Sequence, residues 1–302
     1  MKTESLAMAK IIDLNFLSIE EAIGVFLLKT SEGPILIETG PYSTFETLKS
    51  KLASEGVDIN DIKHVFLTHI HLDHAGAAWA FAELGATIYM HPFGAPHLID
   101  PTKLLESATR IYGDKMDILW SEVKAIPESR VHTVGHLEEF KIGETLLVAL
   151  HTPGHAKHHI AWQINDEIFC GDVAGVKIAN GPVVPPCPPP DINIEDWIAS
   201  IDFVLARNPS KIHLTHFGEQ SDLLNHMSEL KIILGDWSRW IKKKWEEGLD
   251  QQELVPLFSE YTTNQLLEKG VSQQGVQQYE AANPSWMSVA GLIRYWKKKA
   301  SQ

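Results

Sequence analysis

Residues 68 to 77 read THIHLDHAGA and directly follow the apolar run Val65–Leu67. Within six positions the chain places His69, His71, Asp73 and His74. Imidazoles and a carboxylate crowded where a strand ends constrain the fold more than any other feature. A histidine-rich surface turn is the bland explanation, and a metal site is the sharp one. His and Asp each make up about a twentieth of the chain, so an H-x-H-x-D-H window arises by chance in roughly one chain in five hundred of this length. The surrounding sequence therefore has to decide.

A zinc ion takes about four ligands at ~2.0–2.2 Å, so the first cluster needs partners. Three other positions repeat its setting. His155 lies in TPGHAKHH, a Pro-Gly turn after an apolar strand; Asp172 ends IFCGD; His216 ends KIHLTH. If these strand ends share one edge of the sheets, seven side chains converge.

The chain has 302 residues, of which 44% are hydrophobic and 22% charged, which is ordinary globular composition. A net charge of −13 argues against a nucleic-acid partner, because phosphates call for Lys/Arg patches. No stretch approaches the ~20 apolar residues of a membrane span. The two cysteines, Cys170 and Cys187, form no disulfide framework. The opening MKTESLAMAKIIDL has no apolar segment of signal-peptide length. A reducing, cytoplasmic setting and a small-molecule substrate are the expectation.

Strands are expected at 11–16, 22–30, 34–40, 64–68, 87–91, 140–143, 145–152, 159–164, 167–172 and 211–216. Ser43 and Glu46 suggest a capping box opening a helix to about Ser54, and 75–84 reads as a second helix. A further helix is expected after Pro101, and another at 196–206. The stretch GPVVPPCPPPD (181–191) carries six prolines and reads as a stiff extended loop. Helices are expected from about 220 onwards, the first spanning 223–248. This gives a core over 1–220 and a helical extension over 221–302. The extension is expected to pack on the core, with a homodimer contact as the alternative.

THIHLDHAGA, TPGHAKHHIA, IFCGDVAG and LTHFG, in that order, resemble the metallo-β-lactamase superfamily of binuclear metallo-hydrolases. IETG, with Glu38 where aspartate is commoner, resembles a further motif of that family. The resemblance implies an α/β (α+β) fold, an αββα sandwich with the metals at one edge. Carried over by position, His69, His71 and His155 would hold one metal. Asp73, His74 and His216 would hold the second, and Asp172 would bridge both. Zinc, two ions per chain, is the implied cofactor, with iron or manganese as alternatives. A metal-bridging hydroxide would attack the substrate, with Asp73 orienting it and passing on its proton. His159 is placed to support a ligand. His158 stands where relatives often have a small residue, and His91 ends a strand at the expected edge. The motifs look most like the glyoxalase-II and lactonase branches, which implies an ester, thioester or lactone substrate. A phosphodiesterase and a mononuclear iron sulfur dioxygenase on the same fold are the alternatives. Cys170 reads as a small core residue.

Overall fold

The structure, a computed structural model, describes residues 9–301. Two compact units divide the chain. The first comprises 9–18, 23–151 and 160–165, and the second comprises 19–22, 152–159 and 166–301. The described residues contain twelve strands, which pair into sheets.

In the first unit, β1 (Lys10–Asp13), β2 (Gly24–Thr30) and β3 (Gly33–Ile37) pair antiparallel. β4 (His64–Phe66), β5 (Thr87–Met90) and β6 (Val131–Thr133) then add in parallel. Parallel neighbours need crossovers, which helices supply. α1 (Phe45–Ser54) joins β3 to β4. α2 (Leu72–Ala75) and α3 (Ala78–Glu83) join β4 to β5. α4 (Ala95–Ile99), α5 (Thr102–Tyr112) and α6 (Met116–Trp120) precede β6. Strands flanked on both sides read as continuous apolar runs rather than alternating ones, and Val65 and Phe66 of β4 with the following Leu67 are fully buried.

β7 (Glu139–Ile142), β8 (Thr145–His151) and β9 (Ile160–Ile164) form an antiparallel meander in the same unit. Phe66 stacks on Tyr89 at 4.4 Å and meets the edge of Trp162 at 5.0 Å. Trp162 is fully buried, and its Nε1–H donates to the Leu67 carbonyl at 3.0 Å. The Ile160 N–H donates to the Thr68 carbonyl at 2.7 Å. These bonds fix the two residues just before the histidine cluster begins at His69.

In the second unit, β10 (Glu167–Phe169) and β11 (Lys211–Leu214) run parallel, joined by α7 (Ile194–Ala206), and β12 (Gly218–Gln220) returns antiparallel. Four helices follow: α8 (Leu223–Glu246), α9 (Gln251–Glu268), α10 (Gln273–Ala282) and α11 (Ser285–Ala300). α8 buries Met227, Leu230, Leu234, Trp237 and Ile241, the three-to-four spacing of a single apolar stripe. Trp237 Nε1–H donates to Gln265 Oε1 at 2.9 Å, and Trp296 Nε1–H to the Ser238 carbonyl at 3.0 Å, tying α8 to α9 and α11. No helix among the described residues is long and apolar enough to cross a membrane.

Two local expectations change. Ser43 does not cap a helix; its hydroxyl donates to the Leu119 carbonyl at 2.6 Å, and α1 starts after Thr44. A capping box does exist elsewhere, at Asp250 and Glu253. The helix expected over 75–84 breaks at Gly76 and Ala77 into α2 and α3. There a methyl on residue 76 would meet the Leu72 carbonyl at 2.3 Å and Pro41 Cα at 3.0 Å, so only glycine lets the chain turn so close.

Candidate metal centre

In the first unit, β4 ends at Phe66 and delivers Thr68 and His69 into a buried turn. Glu38, just past β3, is fully buried beside them. Its carboxylate accepts from the Thr68 hydroxyl and backbone N–H, and His74 Nδ1 lies 2.9 Å from its Oε1. A carboxylate only accepts, so His74 carries its proton on Nδ1 and keeps a lone pair on Nε2. With its proton committed to Glu38, the Thr68 oxygen accepts from His69 Nδ1 at 2.9 Å, which leaves the lone pair of His69 on Nε2. One glutamate thus sets the tautomers of two histidines.

These Nε2 atoms lie close to further metal-ligating groups. His69 Nε2 is 2.8 Å from His71 Nδ1, and His74 Nε2 is 3.5 Å from Asp73 Oδ2. Two atoms bound to one zinc at ~2.0–2.2 Å can be no more than about 4.4 Å apart, so both spacings suit a shared ion. By spacing alone, Glu38, His69 and His74 could also hold an ion. The hydrogen bonds argue otherwise, because His74 turns Nδ1 to Glu38 and His69 turns Nδ1 to the Thr68 hydroxyl, which reserves Nε2 on both rings. The His74 carbonyl accepts from the Thr39 and Gly40 N–H groups at 2.9 and 3.1 Å, which anchors the far end of the cluster.

The second unit holds the other three candidates. His155 Nδ1 donates to the Pro186 carbonyl at 2.8 Å, and His216 Nδ1 to the Ala22 carbonyl at 2.6 Å. Both rings therefore present Nε2 as acceptor. Asp172, in the turn after β10, lies between them: Oδ2 is 3.3 Å from His155 Nε2, and Oδ1 is 3.4 Å from His216 Nε2. One oxygen per histidine is the disposition of a bridging carboxylate. The turn before His155 depends on Gly154, whose φ is +136° and where a methyl would meet Trp197 Cα at 2.2 Å.

His159 supports this trio from behind. Its Nε2 accepts the Asp172 N–H at 3.2 Å, so its Nδ1 donates to Thr152 Oγ at 2.8 Å. His158 is buried in the same turn. In the first unit, His91 accepts the Phe93 N–H on Nδ1 at 3.0 Å and lies against His151 at 4.2 Å. Burial, and then the neighbouring His151, lower its pKa from 6.5 to about 4. Cys170 and Cys187 are fully buried, and burial pushes both thiols up, away from nucleophilic chemistry. The residue whose role sequence reasoning missed is Glu38. The IETG motif marked the place, but its bonds to Thr68 and His74 bridge more than 25 residues of chain.

In each unit, imidazoles with fixed Nδ1–H groups and a neighbouring aspartate are donors of the kind that suit divalent metal ions. The family model for the metallo-β-lactamase superfamily matches residues 22–216. The chain belongs to that superfamily, and its mixed α/β fold with two sheets and a C-terminal helical region is the superfamily's fold. It is similar to a metallo-β-lactamase fold-containing protein of Sulfurisphaera tokodaii, 28% identical over 164 residues, covering 53% of this chain and 62% of that one. An atrochrysone carboxyl ACP thioesterase of Aspergillus fumigatus is 24% identical over 156 residues, 50% of this chain and 29% of that protein. The chain thus spans less than two thirds of the curated relatives it matches. The crystal structure of a metallo-β-lactamase family protein from Thermus thermophilus superposes with a TM-score of 0.64 at 18% identity, over 97% of this chain and 93% of that one.

Proposed function

We propose that this chain is a binuclear metal-dependent hydrolase of carboxylic thioesters, with esters and lactones as related substrates. In this reading His69, His71 and His155 hold one cation, Asp73, His74 and His216 hold the other, and Asp172 bridges them. Zinc is the proposed metal. The observation that carries the reading is Asp172, which offers a separate oxygen to each of His155 and His216. A single ion would not need that division.

Divalent cations held by these residues would supply Lewis acidity and would lower the pKa of water from ~15.7 towards ~7. The chain's residues do the rest. Glu38, Pro186 and Ala22 hold the imidazole protons on Nδ1, directly or through Thr68, so that Nε2 of His69, His74, His155 and His216 has none to lose. Asp73 is the only partly exposed carboxylate of the set. It orients the attacking oxygen and takes its proton, which makes it the proposed catalytic residue. No serine or cysteine nucleophile is needed. The thioester class is supported by relatives named ACP thioesterases at 24–27% identity. We assign the catalytic core to residues 1–220 and the helical extension to 221–302. Two buried free thiols suit a reducing cytoplasm.

The test is metal analysis of purified protein followed by a substrate panel. About two zinc ions per chain, with acyl-thioester turnover above aryl phosphodiester turnover, is the expected result. One iron per chain, or preference for the phosphodiester, would sink it.

A further inference from the structure

The proline-rich loop poses a hydrogen-bonding problem. Six of its eleven residues have no N–H to donate, yet their carbonyls still need donors once buried. In the second unit those donors come from side chains. Tyr279 OH donates to the Pro182 carbonyl at 2.6 Å, Asn283 Nδ2 to Pro185 at 3.2 Å and Arg294 Nε to Pro190 at 3.1 Å. The Cys187 N–H donates to Ser288 Oγ at 3.4 Å, and Ser288 in turn donates to Asn283 Oδ1 at 3.3 Å. Gly291 of α11 lies so close that a methyl there would meet the Cys187 carbonyl at 2.0 Å. Between these anchors lies Pro186, whose carbonyl holds His155 Nδ1.

We propose that α10, α11 and the segment between them set the orientation and tautomer of the His155 imidazole through the proline-rich loop, with Asn283, Ser288 and Gly291 as positioning residues. The helical extension is then part of the metal-binding apparatus and more than a cover. The physical reason is stiffness. A loop with φ locked at six prolines moves as a body, so a displacement at Pro185 or Cys187 passes to the Pro186 carbonyl between them. If that carbonyl withdraws, the His155 proton is free to sit on either nitrogen, and the acceptor on Nε2 is lost part of the time.

The clamp gains its functional meaning from the metal reading of His155, but the experiment separates the two. Asn283→Ala removes one amide, and Gly291→Ala pushes the loop from the helix side. Two quantities are read in each variant: the His155 ring nitrogen shifts by NMR in metal-free protein, and zinc affinity by chelator competition. The expected result is mixed protonation of His155 and a loss of about 10–100-fold in affinity at one of two sites. Should Gly291→Ala fail to fold, the smaller Asn283→Ala change decides. Wild-type ring shifts and zinc affinity in a folded variant would overturn the clamp, and so would a drop in thermal stability alone. A wild-type protein that binds no divalent cation would defeat the proposed function, while the ring shifts would still decide the clamp.

Discussion

His74 Nδ1 lies 2.9 Å from Glu38 Oε1, and both side chains are fully buried. The same carboxylate oxygen receives the Thr68 hydroxyl, which in turn receives the His69 proton. Glu38 is therefore the hub of the first half-set, although it contributes no ligand in the proposed centre. Glu38→Gln keeps the shape but turns one acceptor oxygen into an NH2 group that cannot accept. We expect zinc affinity to fall about 10–100-fold with the fold retained, as measured by chelator competition and circular dichroism. Glu38→Ala takes the acceptor away from three buried donors, the Thr68 hydroxyl, the Thr68 N–H and His74 Nδ1, and should cost about 2–5 kcal/mol of unfolding free energy.

Asp172→Asn tests the bridge. The amide keeps one oxygen for one histidine side and presents NH2 to the other. Bound zinc should drop from about two ions to about one per chain by elemental analysis, with turnover falling at least a hundredfold. Unchanged stoichiometry would show that the two oxygens do not serve separate ions.

Gly154→Ala tests the turn that carries His155. With φ at +136° and Trp197 Cα at 2.2 Å from the added methyl, neither the backbone nor its neighbour can accept the change. A loss of about 2–4 kcal/mol in urea unfolding is expected. Gly248, where φ is +98° but no atom lies near the added methyl, should lose less on the same substitution.

Acid should weaken the protein through His226. This ring is buried on α8 and donates from Nε2 to the Ala174 carbonyl at 2.8 Å. Burial pushes its pKa down from 6.5 to about 4. The unfolded chain then binds a proton that the folded chain refuses, so stability rises with pH across that window. The full contribution is present above about pH 6.5 and is lost as pH falls towards about 4, up to about 3 kcal/mol. Urea unfolding at about pH 7 and about pH 5 measures it, and His226→Gln should shrink the difference.

Much of this molecule can be read from the chain itself. The strand-ending motifs around His69, His155, Asp172 and His216 are short-range patterns, in which an apolar run buries a strand and a polar residue follows at its end. The stripe of α8 is likewise local, because its spacing of 3.6 residues is written in Met227, Leu230 and Leu234. Three-residue strands such as β6 and β12 carry too little pattern to be seen, and their existence depends on the neighbours that pair with them. The capping signal at Ser43 misled because its hydroxyl found a better acceptor at Leu119, 76 residues away.

The candidate metal-binding side chains and most strands and helices were legible along the chain, since both depend on residues within a few positions of one another. Which nitrogen His69, His74, His155 and His216 offer was set by contacts far apart in the chain. That choice rests on Glu38, Pro186 and Ala22, partners 31 to 194 residues away from the rings they hold, and hydrogen bonds of such span leave no periodicity in a sequence.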